Sequence, residues 1–327
     1  MILAVCVAVM YQSQVDVKWV DDEAQAVLSM LGKTPVENDW QTLFATEGYR
    51  RLKDREAGIH RPFTDDDFRK FVSSQKLIDA APKLRTTLAA WGKTDVASLA
   101  KKSLAYLPKD AKIHATIYPL IKSYTNSFVW DTQTNPAIML YLNPDETAEE
   151  YQKTVIHELH HIGYASCCPS KEFSAWEKGL KPSQQLAWDW LGAFGEGYAV
   201  LAAAGDTKTD PMLYYSQDVK DAFKHGMDHL AEDMGRIESF VLDTTSEKIK
   251  GDEVQNRAVQ FYGTQGPWYS VGYRVAIEIE NTFGRETLLS CYSDPRKLMP
   301  LYNEAVDIRK DGSPKWSAKV LNALGLG

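Results

Sequence analysis

Apolar and polar positions alternate from Val15 to Val20, the period of a short half-buried strand. Asp21, Asp22 and Glu23 then start a helix whose apolar positions run through Leu31, and Gly32 ends it. From residue 38 to 105 the pattern is mostly helical, with Asn38-Asp39 and Thr64-Asp65-Asp66-Asp67 as helix starts. The period then changes. Residues 112–118 and 127–131 read as strands, and 136–143, apolar almost throughout, reads as a buried one. Pro144 to Thr147 opens a further helix with acidic residues in its first turn, and Ala148 to Ile156 continues it at helical period. Beyond that helix the chain is nearly all helical to its end, without a repeat, a low-complexity tract or a linker. The pattern predicts an α+β protein, mainly helical. Residues 1–110 form a mostly helical N-terminal region. Residues 111–327 carry a small mixed sheet at 112–143, a helix at about 146–163 and a helical C-terminal part. The two regions can also form one compact unit.

The helix after the third strand carries His157-Glu158-Leu159-His160-His161. His157 and His161 are four apart, so on a helix they project from one face and can grip a single metal ion. Glu158 lies beside them, where a carboxylate can take a proton from a metal-bound water. H-E-x-x-H on a helix is the zinc metallopeptidase pattern. The bland alternative is a helix that happens to carry three histidines on its exposed side. Only seven histidines occur in the chain, three of them within these five residues, and a strand and a short turn lead into the helix. His160 is one residue off the face shared by His157 and His161 and points away from the metal, towards a supporting hydrogen bond or solvent.

Composition narrows the alternatives. The chain has 327 residues, 44% hydrophobic and 25% charged, which is ordinary globular composition. A net charge of −7 with no basic run argues against nucleic-acid binding. No stretch reaches the roughly 18 apolar residues of a transmembrane helix. Ile2 to Met10 is an apolar run with two readings: a β-rich opening segment, or the remnant of a signal or anchor. Compartment and oligomeric state are not readable. Cys6, Cys167, Cys168 and Cys291 lack CxxC spacing. Cys167 and Cys168, being adjacent, do not readily bridge each other; one can pair with Cys291, or all can be reduced.

A catalytic zinc usually takes three protein ligands and keeps one position open. No histidine follows at the distance that H-E-x-x-H-x-x-G-x-x-H requires, since Cys167 stands nearby and the next histidine is His225. Glutamate is the alternative, from Glu172, Glu177 or Glu196. The first two follow the motif too closely for the chain to reverse and bring a second helix under the metal. Glu196 is the only carboxylate in the small-residue segment Ala193 to Ala203, where burial is costly unless it is paired or ligates a metal. Gly195, Gly197 and Ala199 would let its helix approach the motif helix closely. The competing reading of Glu196 is a surface residue at a helix start. A second pair, His225 and His229, is also spaced i, i+4, but its acidic neighbours suggest a solvated face.

On His157, Glu158, His161 and Glu196, with a strand before the motif helix, the chain resembles the gluzincin metallopeptidases. The Glu-Gly-x-Ala context of Glu196 is similar to poorly characterised bacterial families predicted to be zinc-dependent peptidases. The thermolysin-like Glu-x-x-x-Asp pattern is absent, since Val200 stands four after Glu196, and so is the aminopeptidase Gly-x-Met-Glu-Asn motif. The resemblance implies a zincin-like fold, one Zn²⁺ and a peptide or protein substrate. It also implies an edge strand over the motif helix able to pair with substrate, for which 136–143 is the candidate. Tyr269-x-x-Gly272 is similar to an element of some gluzincin aminopeptidases whose tyrosine stabilises the tetrahedral intermediate; Tyr269 is the first choice for that role and Tyr273 the second. The expected activity is hydrolysis of peptide bonds with Glu158 as general base. The alternatives are a zinc hydrolase of another bond and a non-catalytic binding module on the same scaffold.

Overall fold

The computed structural model describes residues 13–310 and 312–327, so the apolar run at 2–10 and Cys6 lie outside the described residues. The protein is α+β and mainly helical, with one four-stranded mixed sheet. Its strands are β1 (Val15–Trp19), β2 (Ile113–Leu120), β3 (Phe128–Trp130) and β4 (Ala137–Tyr141), in the order β1-β2-β4-β3. β1, β2 and β4 run parallel, and β3 returns antiparallel to β4. The four strands lie where the hydrophobic pattern puts them. The helix expected at Asn38-Asp39 begins one residue earlier, as Glu37–Ala45, because Asp39 turns back to accept a hydrogen bond from the Val36 amide.

One expectation about the sheet is wrong. The segment 136–143 is not an edge strand: β4 is paired on both sides, to β2 and to β3, and β3 holds the edge. Ala137 to Leu140 are buried on both faces, which is why the run is continuously apolar and not alternating. The outer amide at Tyr141 is also taken, donating to Ser127 Oγ at 3.1 Å.

β4 delivers the motif helix, Ala148–Ala165, capped by Thr147 Oγ1, which accepts from the Glu150 amide at 3.1 Å. Two hydrophobic cores flank this helix. Tyr151, Val155, Ile156, Leu159 and Ile162 join the core built from the sheet and the N-terminal helices. Tyr164 also packs against a second core, formed by the C-terminal helices. Two of those helices frame the site: the glutamate helix, Gly195–Ala204, and the tyrosine helix, Pro267–Phe283. Lys153 on the motif helix donates to the carbonyls of Ala203 and Ala204, which ties down the C-terminal end of the glutamate helix. Cys167, Cys168 and Cys291 are free thiols, so none of the pairings with Cys291 is made.

The small residues of the glutamate helix work differently from the expectation. Gly197 faces the tyrosine helix, where an added Cβ would lie 2.0 Å from the Tyr273 nitrogen and 2.2 Å from the Gly272 carbonyl carbon. Gly195 meets nothing within 4 Å. The crossing at Gly197 is therefore on Gly272 of the tyrosine helix, with the two backbones in direct contact, while the glutamate helix also packs on the motif helix as expected.

Candidate metal centre

Three side chains converge where the motif and glutamate helices meet. His157 Nε2 lies 3.1 Å and His161 Nε2 3.3 Å from Glu196 Oε2, and the two imidazole nitrogens are 3.0 Å apart. Four ligands placed tetrahedrally at the usual Zn–N and Zn–O lengths are separated by about 3.3–3.5 Å. The observed triangle therefore fits three corners of a zinc polyhedron, and two histidines with one glutamate are a donor set used by catalytic zinc. Among the described residues this is the group of His, Cys, Asp or Glu side chains able to hold a metal.

The electrostatics favour a cation at this point. Burial alone would raise the Glu196 carboxyl, but the imidazoles of His161 and His157 outweigh it and hold the group well below the usual carboxylate range. Burial would lower His161, yet Glu196, and Glu158 behind it, push it up to about 8. A site that holds a proton this firmly between carboxylates attracts a metal ion for the same reason.

Glu158 is 6% exposed and lines the cleft beside His157. Its carboxylate has no hydrogen-bond partner among the described residues. Burial raises it above the usual range, opposed by the charges of His157, His161 and Lys122. Those are the properties of a base available to a water or substrate proton. His160 points away from the triad, as expected, but into the core and not to solvent. It is fully buried, its Nε2 pairs with the Tyr106 carbonyl at 3.2 Å, and burial pushes its pKa down to about 3. It is a neutral imidazole that anchors the back of the motif helix.

Tyr269 stacks on the His157 ring, with centroids 6.3 Å apart and planes 17° from parallel. Burial, then the charges of Glu196 and Glu158, raise its phenol well above the ordinary value, so it remains a proton donor. Tyr273 is elsewhere. It is buried against Phe223 in the C-terminal core, and the carboxylates around it are Asp210 and Asp206. One turn beyond Tyr269, the Tyr273 ring packs on Phe223 and not on the triad. Glu172 is exposed, and Glu177 lines a different cavity with Asp189, so neither reaches the histidines. His225 and His229 sit exposed with rings 4.0 Å apart, and among the described residues no third ligand joins them.

The cleft beside the triad, lined by His157 and Glu158, has a volume of about 360 Å³. One wall is the loop at 125–127 before β3, and the other is the loop at 263–265 before the tyrosine helix. The sequence pattern did not single out Glu146, Glu150, Tyr141, Tyr215 and Gln265, which also line it. A signal for Glu150 existed: stepping back from His157 and Glu158 along the helix face leads through Thr154 to Glu150. Nothing local points to Tyr215, which a distant loop brings in.

No curated protein and no solved structure matches the chain. A family model described as "Putative zinc dependent peptidase (DUF5700)" matches residues 40–311, a span that holds the sheet strands β2 to β4, the motif helix, Glu196 and Tyr269. That match covers most of the chain, and the chain belongs to this family.

Proposed function

We propose that the protein is a single-zinc peptidase of gluzincin type on a zincin-like scaffold. The observation that carries the reading is the triangle of His157, His161 and Glu196 donor atoms, 3.0–3.3 Å on a side, with the unpartnered Glu158 carboxylate in the same cleft. His157, His161 and Glu196 would hold the ion. Bound zinc supplies a Lewis acid that acidifies water towards a pKa of about 7 and polarises a carbonyl. Glu158 takes the proton from the attacking water and returns it to the leaving amine. Its burial raises its basicity above that of a solvated glutamate, which suits it to both transfers. Tyr269, held against the His157 ring, donates its phenolic proton as a hydrogen bond to the carbonyl oxygen as negative charge builds there. Tyr273 has no part in this, because it faces the core.

The test is zinc binding by competition with a chromophoric chelator. The wild type binds one zinc per chain, and Glu196→Ala binds it at least tenfold to a hundredfold more weakly, since a ligand matters no less than its supporting residues do. Wild-type affinity in Glu196→Ala removes Glu196 from the ligand set.

A further inference from the structure

The cleft beside the metal triad has a marked charge asymmetry. Three glutamates line it, Glu146, Glu150 and Glu158, and no lysine or arginine does. Glu158 is accounted for by the chemistry; it is 6% exposed, unpartnered and open to the cleft, so the cavity is built to receive a polar group and not merely edged by acids. Glu146 and Glu150 are not accounted for. Neither forms an ion pair among the described residues. Glu146 accepts from Thr154 Oγ1 at 3.1 Å and Glu150 from the Thr147 backbone amide, and both carboxyl groups line the cleft with acceptor capacity left over.

Their position relative to the reacting atoms follows from helix geometry. Glu150 precedes His157 by seven residues on the same helix, which is about 10.5 Å along its axis at 1.5 Å per residue. An extended peptide advances about 3.3 Å per residue, so a chain lying along the motif helix places a side chain at Glu150 about three residues from the bond over the triad. Tyr215 stands against the same pair: its phenol feels Glu146, Glu150 and Glu158 together. Its ring also lines the cleft, and an aromatic wall beside two carboxylates suits an ammonium or guanidinium group.

We propose that Glu146 and Glu150, with Tyr215, form a cation-binding subsite that selects substrates carrying an ammonium or guanidinium group about three residues from the scissile bond. The inference rests on the peptidase reading for its meaning, but the subsite can be tested without turnover. A lysine or arginine side chain and a free N-terminus present the same chemistry. Half-buried carboxyl groups in a cleft that no lysine or arginine lines favour such a group, Glu146 giving up its proton as the cation binds, and disfavour acidic peptides, so the preference is for sign as well as for size.

The experiment uses the zinc-loaded Glu158→Gln protein, which binds peptide without cleaving it, and fluorescence anisotropy of labelled decapeptides. The first is N-acetylated with one central lysine, the second carries glutamine there, and the third is neutral with a free N-terminus. The expected result is that the lysine peptide binds about tenfold tighter than the glutamine peptide. Adding Glu146→Gln and Glu150→Gln reduces that ratio to within about twofold, with the fold intact by circular dichroism. Tighter binding of the third peptide, lost in the same variants, assigns the subsite to the N-terminal ammonium and supports the proposal. Equal binding of the lysine and glutamine peptides, with no gain from a free N-terminus, overturns it. A preference that survives in the variants also overturns it. A preference lost in the variants while wild-type protein cleaves none of the peptides leaves the subsite standing and removes the peptidase reading instead.

Discussion

Replacing Gly197 with alanine tests how Glu196 is held. The methyl would lie 2.0 Å from the Tyr273 nitrogen, so reaching the 3.4 Å of ordinary contact needs about 1.4 Å of movement between the glutamate and tyrosine helices. The obstacle is backbone on both sides and cannot rotate away. Glu196 is the neighbouring residue, and its Oε2 lies only 3.1 Å and 3.3 Å from the two imidazoles. A shift of that size moves the carboxylate out of ligand range. Overpacking of this kind costs about 1–3 kcal/mol of stability, and the lost ligand weakens zinc binding by at least about tenfold. Thermal melts with and without zinc, and chelator competition, read the two effects separately. Gly195→Ala on the same helix is the control: its methyl meets nothing within 4 Å, and it should be neutral or slightly stabilising. Gly197→Ala with wild-type melting temperature and zinc affinity would refute the argument that this crossing positions Glu196.

Tyr269→Phe keeps the ring against His157 and removes the hydroxyl, so zinc affinity stays and kcat falls by about 10²–10³-fold; an unchanged kcat rules Tyr269 out as the oxyanion donor. Glu146 carries a pH dependence. Burial, then the Glu150 charge, raises it from 4.5 to about 8, so the folded chain keeps a proton that the unfolded chain releases. Its contribution to stability is fully present below pH 4.5 and is lost as pH rises through about 8. Glu146→Gln should therefore gain in urea midpoint over the wild type between pH 5.5 and 8.5, and a constant difference across that range contradicts the shift. Zinc removal by a chelator should lower the melting temperature by several degrees, because a ligand at a thousandfold excess over its Kd stabilises by about 4 kcal/mol; no change on chelation would mean that the triad holds no ion in the folded protein.

Much of the centre is legible in the chain because the relevant signals are local. Two histidines four apart with a glutamate between them define a face of a helix whatever else surrounds it. A lone carboxylate among glycines and alanines is conspicuous at Glu196, because such a helix is otherwise fully buried. The errors came where partners are distant in sequence. The segment 136–143, expected at an edge, is central: its apolar run does not show this by itself, and only the return of Phe128–Trp130 beside it decides the matter. The glycines around Glu196 signal a close helix crossing but not with which helix; Gly272 supplies that answer from 75 residues further on. Tyr269 and Tyr273 have a similar sequence context but different surroundings, His157 for the first and Phe223 for the second. Tyr215 reaches the cleft from a loop with no pattern of its own.

The most direct test of the central claim is peptide hydrolysis by zinc-loaded wild type and Glu158→Gln, with metal content measured in the same samples. Both proteins should carry one zinc per chain. The wild type should cleave in a chelator-sensitive reaction, and the variant should be slower by about 10²–10⁴-fold. Undiminished hydrolysis by Glu158→Gln at full zinc occupancy would contradict the account.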